Sequence, residues 1–261
     1  MEISLKNKKA FVGGSSKGIG KAVAQQLAIS GASVTIMARS EEKLKSIISQ
    51  LPTDQGQNHQ YLVVDYTDYE NYKNIIGAYF ITNSVDILVN NTQGPSAGNA
   101  LEKEVTDYQA AFDLLFKTTV FTTQQALMGM MAQNYGRIIN IASVSVKEPL
   151  SYLVLSNSIR AAVATWAKSL AIEVGKFNIT VNNTLTGYFY TERLKNLNES
   201  KAKSMDIPIE EVNQQLLSNV PVGRFGDPKE YGFLVAFLAS EQASFITGTN
   251  IPIDGGMLKS M

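Results

Sequence analysis

The stretch Gly13-Gly14-Ser15-Ser16-Lys17-Gly18-Ile19-Gly20 limits what this chain can fold into more than any other. It separates a short apolar, strand-like run at 10–12 from a helix-like pattern at 19–30. Glycines there let the backbone turn tightly and come close to a pyrophosphate. The helix that follows offers free N–H groups and the positive end of its dipole. A glycine cluster alone can be a plain strand–helix turn. Its weight here comes from what surrounds it.

The same alternation continues along the chain. Strand-like runs at 33–37, 61–64, 85–89, 137–141, 179–181 and 249–253 are separated by helical patterns at 41–50, 69–81, 106–133, 152–176 and 228–239. Thr106 is placed to cap the longest of the middle helices. Alternation of this kind, with β-branched strands, predicts one doubly wound parallel sheet of about seven strands, Rossmann-like α/β in class, with helices on both faces. No repeat, low-complexity tract or linker divides the chain, so 1–261 reads as a single domain. The exception is 185–219, which mixes polar residues with Met, Tyr and Leu and holds a helix started by Pro208. It follows a strand, where a lid over a pocket would sit.

Composition excludes several functions. Lys plus Arg and Asp plus Glu both total 23, so no net field draws the chain to nucleic acid or to a membrane surface. With no Cys there is no disulfide, thiolate metal site or Cys nucleophile, and no metal site is expected. His59, the only His, stands in a polar stretch at 53–60 and reads as a solvated loop residue without a role. The first apolar run is too short and too glycine-rich for a signal peptide or a membrane span. A cytoplasmic protein is the expectation.

The spacing Gly14-x3-Gly18-x-Gly20 resembles the short-chain dehydrogenase/reductase family, and the resemblance extends over nearly the whole chain. Asp65 follows the third strand as in that family. Asn90-Asn91-Thr92-Gln93-Gly94 is similar to its Asn-Asn-Ala-Gly motif, with Gln93 at the Gly. Residues 138–143 resemble the strand that ends at a catalytic Ser, and Thr186-Gly187-Tyr188-Phe189-Tyr190-Thr191 resembles the loop that touches the nicotinamide. Residues 221–226 and 251–256 resemble the family's C-terminal signature. The resemblance implies a dinucleotide held by Gly14, Ser16, Lys17, Gly18, Ile19, Gly20, Arg39, Asp65, Tyr66, Asn90, Asn91, Thr92, Arg160, Phe189 and Thr191. The position where an acid would bond a ribose hydroxyl is Ala38, and Arg39 follows it. With Lys17 nearby, that pair favours NADP(H) over NAD(H), unless both are simply solvated surface cations.

The catalytic positions depart from the family. Ser143 matches the oxygen-orienting Ser. The Tyr position is Ser156, the Lys position is Arg160 and the helix Asn position is Leu115. Ser is a far weaker acid than Tyr and shorter, and Arg stays protonated at any working pH. Losing a general acid costs roughly 10²–10⁴ in rate, whereas holding the reactants together is worth about 7–11 kcal/mol. Tyr152, one helical turn before Ser156, is a candidate replacement as well as a candidate packing residue. Tyr188 and Tyr190 are candidate pocket walls. The part that most resembles a divergent branch near the 3-oxoacyl-acyl-carrier-protein reductases, with an incomplete tetrad, is 153–163. Two functions follow: an NADP(H)-dependent oxidoreductase on a small carbonyl/hydroxyl or acyl substrate, or a non-catalytic NADP(H)-binding sensor or partner subunit. A scaffold that binds no nucleotide fits least, because Lys17, Arg39 and the glycines remain. The resemblance also implies a homo-oligomer, tetramer or dimer, associating through the two long helices and the Gly255-Gly256 tail.

Overall fold

The computed structural model describes residues 3–260. Seven parallel strands form one sheet: β1 (Lys9–Val12), β2 (Ser33–Ala38), β3 (Gln60–Val63), β4 (Ile87–Asn90), β5 (Gly136–Ile141), β6 (Ile179–Thr186) and β7 (Asn250–Ile253). Their spatial order is β3-β2-β1-β4-β5-β6-β7. The order reverses between β1 and β4, and such a switch point opens a crevice at the strands' carboxyl ends.

One face is covered by α1 (Gly18–Ile29), α2 (Glu41–Ile48) and α9 (Pro228–Ala239), packed on a cluster that includes Val12, Val34, Ile36, Ile87 and Ile139. The other carries α3 (Tyr69–Thr82), α4 (Val105–Phe112), α5 (Thr118–Ala132) and α6 (Val154–Val174), packed on Phe11, Leu88, Ile138 and Val181. Strand residues therefore alternate between two buried layers. That is why β1, β4 and β5 read as continuous apolar runs rather than as alternating ones.

The sheet is tied at its carboxyl end by an asparagine ladder. Asn90, Asn140, Asn183 and Asn250 are in register across β4 to β7. Asn90 Nδ2 donates to Asn140 Oδ1 at 2.8 Å, Asn140 Nδ2 to Asn183 Oδ1 at 2.9 Å, and Asn183 Nδ2 to Asn250 Oδ1 at 2.9 Å. A carboxamide both donates and accepts, so one residue type repeated on one face can satisfy itself inside a buried layer. Asn90 also donates to Thr123 Oγ1, which fastens α5 beneath the site.

Four expectations change. The middle helix is capped at Glu104, not Thr106. Its first helical residue is Val105, Asp107 accepts from the Glu104 N–H at 3.1 Å, and Thr106 lies inside the first turn. A π-helical turn at Asp113–Lys117 splits it into α4 and α5, a break that no Gly or Pro signals. His59 is a half-buried clamp. Its Nδ1 accepts from the Val34 N–H at 3.1 Å and its Nε2 pairs with Pro52 O at 2.8 Å, so the ring is the Nε2–H tautomer locking a loop to β2. β6 runs to Thr186, longer than 179–181. The segment that follows holds the helix pair α7 (Glu192–Met205) and α8 (Ile209–Leu217), joined by Asn198 Nδ2 donating to Asn213 Oδ1 at 2.7 Å.

Candidate active site

The glycine turn is braced from below by side chains far along the chain. Tyr66 Oη accepts from the Gly14 N–H and donates to Asn91 O, each at 3.1 Å. Asn91 Nδ2 donates to Gly13 O and Gly14 O at 3.1 and 3.2 Å. Ser15 Oγ donates to Val12 O and accepts from the Met37 N–H, both at 2.9 Å. Gly14 and Gly18 have φ of +53° and +55°, open to glycine without strain. A Cβ on Gly20 would lie 2.3 Å from Gly14 O, so α1 can start this close to the turn only without a side chain.

The turn fits a dinucleotide phosphate. α1 has no side-chain cap and no acidic residue in its first turn, whereas α2, α3, α7 and α9 have both a side-chain cap and an acid there. Its first N–H groups are left for a ligand. Arg39 is exposed at the end of β2. Asp65 follows β3, and its Oδ1 accepts from the Thr67 N–H at 2.9 Å and from Thr67 Oγ1 at 2.7 Å. The backbone bond from Thr67, with a smaller share from Arg39, holds this carboxyl below its ordinary range. Lys17 is exposed and ion-paired with Glu192 of α7 at 3.0 Å. The glycine turn is thus bridged to α7. Thr191 caps α7, its Oγ1 accepting from the Leu194 N–H at 3.2 Å, and its methyl faces Gly18.

Two residues of the implied cofactor set work behind the cleft. The side chain of Tyr66 is buried under the turn, and loss of solvent drives its pKa well above the ordinary phenol value. The Asn90 carboxamide is occupied in the ladder. The Tyr66 side chain braces Gly14 and Asn91, and the Asn90 side chain ties β4 to β5 and α5.

Beyond the turn an open cleft is lined by Ile19, Asn91 and Thr92, by Ser143, Tyr152, Ser156 and Arg160, and by Tyr188, Phe189, Thr191 and Arg193. The cofactor-side and catalytic-side residues therefore share one wall-to-wall space. Ser143 Oγ accepts from the Ser145 N–H at 3.1 Å, which leaves its own O–H free to donate into the cleft. Arg160 Nε donates to Ser156 Oγ at 3.2 Å, and its Nη1 makes a short bond to Ile141 O. Burial, with a contribution from Arg193, lowers the Arg160 pKa to about 10, so the guanidinium still carries its proton at neutral pH. Tyr188 is half-buried. Burial, reinforced by the neighbouring Tyr152, raises its pKa, so it is a poorer acid than a free phenol. Tyr190 is 71% exposed and is not a wall of this cleft, contrary to expectation.

Leu115 lies in the π turn, is buried, and faces a small pocket shared with Arg160, Asn91 and Thr92. Sequence reasoning missed Arg193, which donates to Gly94 O at 3.3 Å and Pro95 O at 3.2 Å. Its sequence signal was slight: a cation in the first turn of a helix, where the dipole disfavours it.

A family model described as enoyl-(acyl carrier protein) reductase matches residues 14–258. The chain is a short-chain dehydrogenase/reductase. It is 32% identical over 258 residues to the 3-oxoacyl-[acyl-carrier-protein] reductase FabG of Aquifex aeolicus, covering 98% of this chain and 100% of that one. It is 30% identical to the NADPH-dependent reductase BacG of Bacillus subtilis, over 98% and 100% of the two chains. Among solved structures, the L-sorbose reductase of Gluconobacter frateurii, complexed with NADPH and L-sorbose, superposes with a TM-score of 0.92 at 30% identity over the whole of both chains. Among the described residues no helix is long and apolar enough to cross a membrane, and no group of side chains forms a metal site.

Proposed function

We propose that this short-chain dehydrogenase/reductase is an NADP(H)-dependent oxidoreductase that interconverts a carbonyl and a hydroxyl group. In this reading Ser143 orients the substrate oxygen, and Arg160 and Ser156 stand where the family's Lys and Tyr would be. The observation that carries it is convergence: Ser143, Tyr152, Ser156 and Arg160 line the same cleft as Ile19, Thr92, Phe189 and Thr191. Bound NADPH supplies the hydride that reduces a carbonyl carbon.

The chain's own residues have the remaining work. The glycine turn, with the free N–H groups of α1, would hold the pyrophosphate, and Arg39 with Lys17 the 2′-phosphate. The free Ser143 O–H donates to the substrate oxygen. Arg160 presents a fixed positive charge to the negative charge that grows there, and such preorganised charge is among the largest catalytic terms. Arg160 also fixes Ser156 Oγ as an acceptor, which leaves the Ser156 hydroxyl proton to point elsewhere. Tyr152 adds a phenolic O–H on the same wall. Copies associate through the faces of α5 and α6, where Met128, Met131 and Ile172 are exposed apolar residues.

Calorimetric titration with NADPH and, separately, NADH tests the reading. Tight NADPH binding with weak NADH binding is the expected result. Binding of neither sinks the oxidoreductase assignment.

A further inference from the structure

Arginines outside the cleft have acidic partners or open solvent. Arg137 pairs with Glu241 at 3.4 Å, Arg224 pairs with Glu230 at 2.7 Å, and Arg39 is exposed. Arg160 and Arg193 differ from the two paired arginines, although Arg193, like Arg39, is exposed. Both line the same cleft, no Asp or Glu lines it with them, and neither is in an ion pair among the described residues. Their bonds go to neutral acceptors: Ser156 Oγ and Ile141 O for Arg160, Gly94 O and Pro95 O for Arg193. A guanidinium has five N–H donors, so each keeps donors beyond these bonds.

The seat of Arg193 is specific. A Cβ on Gly94 would lie 2.5 Å from its Nη2 and 2.8 Å from its Cζ, so the guanidinium rests on bare backbone. Glu192, its sequence neighbour, is turned away to Lys17. Loss of solvent lowers the pKa of both arginines, and Arg193 adds to the lowering at Arg160, as two cations facing one space should. Two guanidiniums on one cleft without a counter-charge, Arg160 half-buried and Arg193 exposed, are complementary to an anion, and their planar forks match a carboxylate.

We propose that Arg160 and Arg193 together bind a carboxylate on the substrate, so that the cleft takes a keto or hydroxy acid in preference to an uncharged carbonyl compound. This rests on the reductase reading above. The other anion that could satisfy the pair is the cofactor's own pyrophosphate. The glycine turn already offers that group the free N–H groups of α1, whereas Arg193 is seated on Gly94 and Pro95.

The test uses the full chain, acetoacetate as probe and methyl acetoacetate as its uncharged twin. NADPH affinity is measured first, for the wild type, Arg193→Gln and Gly94→Ala. Gly94→Ala keeps the charge but pushes the guanidinium off its seat, and thermal unfolding checks that both variants fold. Calorimetry of the NADP⁺ complex then compares acid with ester. The expected result is acetoacetate bound in preference to the ester by the wild type, weakened about tenfold to a hundredfold in Arg193→Gln, less in Gly94→Ala, with NADPH affinity unchanged in both. Equal binding of acid and ester, or no binding of acetoacetate to a complex that holds NADP⁺, overturns the proposal and leaves the reductase reading standing. A fall in NADPH affinity in Arg193→Gln also overturns it, because the anion is then the cofactor's. Failure of the wild type to bind NADPH at all overturns the reductase reading instead.

Discussion

The two sides of the cleft are built on different terms. On the β1–α1 side the groups that face the ligand are backbone N–H groups, and what makes them available is geometry: glycines where no Cβ fits, braced by Tyr66, Asn91 and Ser15. On the α6 side the groups are side chains, Ser156 and Arg160 among them, that project from a helix into the cleft. A backbone-made site is locked to the fold, because any change in it moves the chain. A site made of side chains can change its chemistry while the fold stays. The chain superposes with a TM-score of 0.92 on a reductase structure complexed with NADPH at only 30% identity.

The contrast can be broken most severely at Gly20. In Gly20→Ala the added Cβ meets Gly14 O at 2.3 Å, and both partners are backbone, so α1 must shift. The expected outcome is loss of measurable NADPH binding together with destabilisation of about 1–3 kcal/mol, read by titration and thermal unfolding. Normal NADPH affinity in this variant would mean that the turn does not hold the cofactor.

Ser143→Ala should separate the two sides cleanly. It removes a donor aimed at the substrate oxygen, so kcat should fall by about 10²–10³ while NADPH affinity stays as it was. Equal loss of both would place Ser143 on the cofactor side instead.

A smaller effect, of opposite sign, is expected from Ser156→Tyr combined with Arg160→Lys. Restoring the phenol and amine should raise reductase kcat by about tenfold to a hundredfold. No gain with NADPH still bound would show that Tyr152 or another group already delivers the proton.

The smallest effect concerns stability. Burial holds Arg160 near 10, below the free guanidinium value, so between those values the folded chain binds fewer protons than the unfolded one. The penalty for the buried charge is therefore fully present at neutral pH and is relieved only as pH rises through 10. Arg160→Met should raise stability at pH 7 by about 1 kcal/mol, a gain that shrinks in strongly alkaline buffer, while activity falls. A drop in melting temperature at pH 7 would mean that the bond to Ile141 O outweighs the buried charge.

Much of this was legible in the chain. The strand–helix alternation and β-branched runs give the seven-stranded sheet, because period and propensity are local properties. The glycine turn was legible for the same reason, since positive φ and the absence of Cβ belong to single residues. Less legible were contacts between distant segments. Asn90 reads as part of a motif, and only the register of β4 to β7 shows that its carboxamide begins a ladder ending at Asn250. His59 reads as a polar loop residue until Val34 and Pro52 are brought to its two nitrogens. The π turn at Leu115 leaves no mark in the residue pattern.

The sequence by itself determined that the chain forms a doubly wound sheet with a phosphate-type turn, and its family resemblance sets the expectation of Ser156, Arg160 and Leu115 at the Tyr, Lys and Asn positions. Only the tertiary structure decided which side chains share the cleft. Arg193 and Gly94 are 99 residues apart and meet through one hydrogen bond and one missing Cβ. Periodicity cannot report that meeting, because the charge of the cleft depends on which loops the sheet brings together.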